Sequence, residues 1–158
     1  MRWSVVLVSI ILSACPVKNE IDREQDAGPT GSQAAEVLSL DISGTEGNYT
    51  FNVEVKSPDT GCDQYADWWE VLTPDTVLIY RRILTHSHVS EQPFKRSGGP
   101  VPVKADDQLI IRAHMNNLGY GKQGLQGSAA SGFEQMELSS GFGIHLSEQE
   151  PLPGDCGF

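Results

Sequence analysis

The sequence predicts an all-β domain, an immunoglobulin-like antiparallel β-sandwich with a jelly roll as the alternative, and three observations carry the prediction. Apolar residues in the body of the chain recur with a period of two, as in NYTFNVEVKS, and not with the 3.6 of an amphipathic helix. Turn-forming clusters separate such runs, the clearest being Thr73-Pro74-Asp75 between YADWWEVL and TVLIYRRIL. No segment offers a convincing helix, and LGYGKQGLQGSAASG is too rich in glycine and serine to be one in a core. Seven or so short strands must then bury their apolar faces against one another.

The elements follow in order. EVLSLDI sets Leu40 and Ile42 on one face of a strand, with Val37 also apolar and Leu38 of no clear parity. In the next strand Tyr49, Phe51, Val53 and Val55 alternate with Thr50, Asn52, Glu54 and Lys56, so one face is buried. The segments on either side of Thr73-Pro74-Asp75 form a hairpin. Within it Trp68 and Trp69 point to opposite faces, and only one of them is readily core. The other lies exposed or beneath a loop, and an exposed aromatic beside carboxylates suits contact with a sugar or peptide. A tryptophan on this central strand could also pack against a disulfide from Cys62.

Arg81 and Arg82 also oppose one another, so one of them meets the interior or its edge, where an unpaired guanidinium is costly. Asp67 or Glu70 across the hairpin can pair with it. A second reading reserves Arg82 for an anionic group on a ligand. Gln108–Met115 is a further strand, with Leu109, Ile111, Ala113 and Met115 facing one way. The glycine-rich stretch reads as a long loop, and FEQMEL and FGIHL close the domain as short strands.

The chain begins MRWSVVLVSIILSAC, one basic residue before a short apolar run and then small residues, the layout of an export signal too short to span a bilayer. Its junction Leu12-Ser13-Ala14-Cys15 resembles the lipobox of bacterial lipoproteins. The resemblance covers the first 15 residues and implies cleavage before Cys15, thioether lipidation of its sulfur and acylation of the new amino terminus, a durable anchor. Pro16 at the second mature position favours, by the same resemblance, the outer membrane. The polar residues 16–35 lack aromatics and read as a flexible tether. The expected organisation is a signal at 1–14, a lipidated cysteine and linker at 15–35, and a β-sandwich at 36–158.

Three cysteines are odd in number for an exported protein, and lipidation of Cys15 accounts for one. In an oxidising compartment Cys62 and Cys156 then pair as a disulfide, the alternatives being two free thiols or a thiolate metal ligand. Net charge is −10, with 21 acidic residues against 11 basic, and losing the signal removes Arg2 alone. Such a surface repels nucleic acid and acidic lipid headgroups, so the fatty acid must hold the protein at the membrane.

Two of the four histidines fall in THSHVSEQPF. On a strand His86 and His88 would share a face, and His114 on a neighbouring strand would complete a three-nitrogen site for zinc or copper, with Glu91 or Glu70 as a further ligand or base. The stretch is similar to the cupin metal motif in its His-x-His and in the six residues between Glu91 and Gly98. It departs from that motif in the two-residue gap before Glu91, in Tyr80 where a glycine belongs, and around His114, where no second motif follows. The other reading is that these imidazoles hydrogen-bond backbone or water. GYGKQGLQG does not sit between a strand and a helix as a phosphate loop must, and no Gly-x-Ser-x-Gly elbow occurs.

The function these observations predict is a lipid-anchored envelope binding or interaction module without cofactor, not an enzyme. Its expected partner is another envelope protein or a glycan, met around Trp68, Trp69, Arg82 and the glycine-rich segment. The alternative is a metal-binding (zinc or copper) protein or small metalloenzyme using His86, His88 and His114.

Overall fold

The computed structural model describes residues 34–157. The expected signal, Cys15 and nearly all of the tether lie outside them. Nine strands and one 3-10 turn follow in sequence: β1 (Glu36–Thr45), β2 (Asn48–Lys56), β3 (Ala66–Leu72), β4 (Leu78–Ile83), β5 (Phe94–Val101), β6 (Leu109–Met115), β7 (Gly119–Tyr120), β8 (Gln123–Ser128), β9 (Gly132–Glu137) and η1 (Ile144–Glu148). They form two antiparallel sheets packed face to face, the immunoglobulin-like sandwich that the period of two predicts. The small sheet runs β1-β2-β5 and the large one β4-β3-β6-β8-β9, with β7 paired to β6.

The core lies where the predicted apolar faces meet. Phe51, Val53 and Val55 of β2 and Phe94 of β5 pack against Trp69 and Val71 of β3, Leu109, Ile111, Ala113 and Met115 of β6, and Leu125 of β8. The hairpin at Thr73-Pro74-Asp75 forms as expected, with Trp69 opposite Arg82 and Glu70 opposite Arg81. Gly98 of β5 lies against Trp69 so closely that a Cβ there would stand 2.8 Å from the indole ring. This close approach, and not a metal motif, accounts for the glycine seven residues after Glu91.

Register shifts explain two parities that simple alternation does not. Between Val37 and Ser39, β1 carries a bulge against β2, with Leu38 as the additional residue. Val37 and Leu40 therefore both reach the core, although they are three residues apart. A second bulge lies between Ala66 and Trp68 of β3 against β6, and it gives Ala66 and Trp69 a shared inward face with Asp67 as the additional residue.

The open sides of the sandwich are stitched by side chains. Gln135 of β9 donates to the carbonyls of Val37 and Leu38 at the first bulge, at 3.1 and 2.7 Å. On the opposite side Arg82 of β4 donates to the Ser97 carbonyl of β5 at 3.0 Å, and the Gly99 N–H donates to the Tyr80 hydroxyl at 2.9 Å.

Three local expectations are corrected. The glycine-rich segment is not a loop throughout but supplies β7 and β8, because Gly124 lets β8 approach β6: a Cβ there would stand 2.6 Å from the Ile111 carbonyl oxygen. FGIHL is not a strand but passes into η1. The histidine pair is not on a strand but in the connection between β4 and β5.

Candidate functional site

All seven residues of β3 and all seven of β6 are buried. Strands with one wet face would alternate, so something covers the outer face of the large sheet. The cover is the C-terminal segment: Leu146 is 1 % exposed and packs with Leu72, Ile110 and Leu138, while Phe142, Tyr120 and Met136 pack around them.

The charged groups in this second layer are matched to one another, whereas Trp68 Nε1 and the Tyr120 hydroxyl are buried without a hydrogen-bond partner among the described residues. Glu70 of β3 is fully buried between two arginines. Its Oε2 accepts from Arg81 Nε at 2.8 Å and Nη2 at 2.6 Å, and its Oε1 accepts from Arg112 Nε at 2.8 Å. The remaining guanidinium donors turn outward to the cover. Arg81 donates to the carbonyls of Leu146, Gln149 and Pro151, and Arg112 to those of Phe142 and Gly143. The ring of Trp68 lies 4.4 Å from the Arg81 guanidinium carbon and that of Tyr120 3.4 Å from that of Arg112. Burial, followed by the charge of Glu70, raises the Tyr120 pKa and keeps its hydroxyl protonated.

His114 stands at the rim of this layer. Its Nδ1 is 2.7 Å from Asp67 Oδ1, and its ring stacks on Trp68 with centroids 3.7 Å apart and meets the edge of Tyr120 at 4.8 Å. A carboxylate can only accept here, so Nδ1 carries the proton and a neutral ring presents a lone pair at Nε2. That nitrogen has no hydrogen-bond partner among the described residues, and it is not one of the buried polar atoms cut off from solvent. His114 is among the residues that line a cleft of about 340 Å³ between the cover and the β6–β8 connection. Arg112 and Tyr120 contribute to one wall, Lys122 and the exposed Leu118 to the β7 side, and Phe142 and the exposed Ile144 to the cover side.

The structure places the sequence-predicted site residues differently from expectation. Trp68 is 3 % exposed and Trp69 not at all, so neither offers a surface to a sugar or peptide. Trp69 belongs to the core between the sheets, and Trp68 is buried because the C-terminal segment supplies a second layer that the strand pattern of β3 does not reveal. Arg82 is occupied by the Ser97 and Ile83 carbonyls. The three histidines do not converge. His86 and His88 have ring centroids 4.5 Å apart, but His88 stacks on Phe94 at 3.8 Å beside Asp59, whereas His114 belongs to Asp67, Trp68 and Tyr120. Among the described residues no group of three or more histidine, cysteine or carboxylate side chains is placed to hold a metal ion.

The Cys62–Cys156 disulfide is present and ties the C-terminal segment to the loop before β3. Trp69 packs on Tyr80 of the neighbouring strand, and Trp68 on His114 and Arg81. Sequence reasoning missed Arg112, Tyr120 and Lys122. The available signal was the arginine in the otherwise apolar LIIRAHM, a charge on the second face of a strand that must bury its first.

Comparison with known proteins gives one relative. A protein of Halomicrobium mukohataei named "Putative lipoprotein" is 31 % identical over 110 residues, 69 % of this chain and 54 % of that protein. The chain thus spans about half the length of the curated relative it matches. No family model matches, and no solved structure matches.

Proposed function

We propose that this chain is a lipid-anchored binding module of the cell envelope, with the cleft at His114 as its ligand site. The anchor reading is supported by the lipobox-like Leu12-Ser13-Ala14-Cys15, by the polar tether after it and by the lipoprotein name of the relative. Pro16 favours the outer membrane of a double-membraned cell as its address. The site reading rests on one observation. The arginines and glutamate of the outer face satisfy one another and the cover, whereas His114 lines the cleft, held by Asp67 at Nδ1 and with Nε2 unpaired among the described residues.

A cleft of this size falls near the lower end of the roughly 300–1,000 Å³ typical of small-ligand sites. Apolar walls with a few placed polar groups are the ordinary composition of such a site. Ser139, Ser140 and Ser147 share the lining with His114, and none of them is hydrogen-bonded to its ring as an activated nucleophile would be.

Two measurements test this. Mass spectrometry of the protein taken from its own membranes should find Cys15 as the acylated amino terminus, and Cys15→Ser should release the protein from the membrane fraction. Native mass spectrometry of the same preparation should find a small-molecule adduct that is lost when Ser140→Trp fills the cleft. An unprocessed amino terminus overturns the anchor, and the absence of any adduct sensitive to Ser140→Trp overturns the site.

A further inference from the structure

Resting on the ligand-site reading, we infer that the His114 cleft selects a small organic anion, an acidic headgroup attached to a short apolar body. The chain as a whole is acidic, yet the lining of this cleft holds Arg112, His114 and Lys122 and no carboxylate. With histidine counted as a base, the whole chain carries 21 acids to 15 bases (11 Lys and Arg plus 4 His).

The buried triad at the floor has the same sign. Glu70 lies between two guanidiniums, so that triad carries one net positive charge, and it is buried where solvent screens little. The exposed Lys122 makes no ion pair or side-chain hydrogen bond among the described residues, so its ammonium is available at the mouth. Asp67 carries an opposing charge. It sits behind His114 with its carboxylate 3 % exposed and takes no part in the lining.

His114 Nε2 fits an acidic group in either protonation state. As a neutral ring it accepts a proton-bearing oxygen, and as imidazolium it donates to an anionic one. The apolar requirement comes from the lips. Leu118 and Ile144 are 47 % and 60 % exposed and flank the opening, with Phe142 and Leu138 deeper in the cleft. Exposed side chains of this size, gathered at one mouth and facing basic groups, suit a ligand that is charged at one end and greasy at the other. A carboxylate, a phosphate monoester and a sulfate ester share this chemistry, and the test separates them.

The probes are matched pairs of 4-phenylbutyrate, 4-phenylbutyl phosphate and 4-phenylbutyl sulfate, each against neutral 4-phenylbutanol. They are titrated into the folded, disulfide-bonded protein while the amide signals of Gly119, Gly121 and Lys122 are followed by NMR. At least one anion should shift these signals saturably and bind at least tenfold more tightly than the alcohol. Lys122→Gln and His114→Gln should each weaken that anion about fivefold or more and leave the alcohol unchanged. Lys122 is exposed, so its substitution separates loss of binding from loss of fold. Equal binding of alcohol and anions at these amides overturns the anion inference and leaves the cleft a ligand site. No saturable shift from any probe at millimolar concentration overturns the inference, and with the adduct measurement negative it removes the cleft reading as well.

Discussion

Asp67 Oδ1 and His114 Nδ1 lie 2.7 Å apart because Asp67 is the additional residue of the β3 bulge. Regular pairing places His114 opposite Trp68, and the two rings stack. The bulge adds a carboxylate to the same cross-strand pair, so one imidazole is gripped by a ring on its face and an oxygen at its edge. Bulges commonly re-aim side chains at functional positions, and this one fixes which nitrogen of His114 is held by Asp67.

Replacing Asp67 with Asn should release that choice. Nitrogen-15 spectra of the native protein should report the neutral His114 ring with its proton on Nδ1, and Asp67→Asn should shift the ring toward a mixture of tautomers. The cost in stability should be about 1–3 kcal/mol, the range for a hydrogen bond to a charged group that leaves a buried partner poorly matched. An unchanged tautomer together with an unchanged urea midpoint would show that Asp67 does not orient the ring.

Glu70 and Asp41 both pair with cations, but their surroundings make the two pairs unequal. Glu70 is fully buried between Arg81 and Arg112, whereas the carboxylate of Asp41 is 68 % exposed beside Lys95. Glu70→Ala leaves two buried guanidiniums without their anion and should cost about 3–5 kcal/mol. Asp41→Ala should cost under about 1 kcal/mol, since water screens that pair. Because both arginines also hold carbonyls of the cover, Glu70→Ala should further raise proteolytic cleavage between 139 and 155. Equal costs for the two substitutions would remove the buried triad from its structural role.

The sandwich and much of its inner face could be read from the chain, and the candidate site largely could not. Phe51, Val53 and Val55, or Leu109, Ile111 and Ala113, announce themselves because burial on one face imposes a period of two. β5 and β8 carry glycines where backbones approach closely, at Gly98 on Trp69 and Gly124 on Ile111, so they lack the side chains that would mark a strand. The outer layer was hidden for a different reason. Trp68, Glu70 and Arg112 look like the wet face of a strand unless a distant segment is known to cover them, and residues 139–151 carry no pattern that says so. Arg81 was the partial exception, since two consecutive arginines on a strand require one to find an anion, and Glu70 was among those available.

The disulfide secures that distant segment. Cys62 and Cys156 are 94 residues apart, and in the chain-entropy picture a loop of this length contributes about 4 kcal/mol. Without the bridge, the C-terminal segment depends on the Arg81 and Arg112 donors and on Leu146 for attachment. The double substitution of Cys62 and Cys156 by serine should therefore lower Tm by about 15 °C at this domain size. It should also raise hydrogen exchange in β3 and β6 on the outer face before the inner core responds. A fall in Tm without that order of exposure would mean that the bridge stabilises the whole sandwich and does not specifically hold the cover.

His88 predicts a dependence of stability on pH. Its ring is 3 % exposed against Phe94, with both ring nitrogens lacking a hydrogen bond, and its backbone N–H is held by Asp59 Oδ2 at 2.8 Å. Burial first, then the positive charge of Arg96 and the neighbouring His86, lowers its pKa to about 4, outweighing the opposing charges of Asp59 and Glu91. The unfolded chain therefore binds a proton at this residue more readily than the folded one, near the ordinary value of about 6.5. The stabilisation that His88 provides while neutral is complete above that value. It declines as pH falls toward 4, and below 4 no further loss arises from this group. The total involved is on the order of 3 kcal/mol, since each unit of pKa corresponds to about 1.4 kcal/mol. His88→Phe keeps a flat ring over Phe94 and cannot take up a proton. Urea midpoints measured from pH 7.5 to pH 4 should fall steeply for the native chain and by a visibly smaller amount for His88→Phe. Parallel curves for the two proteins would transfer the acid sensitivity to the carboxylates and leave His88 with no part in it.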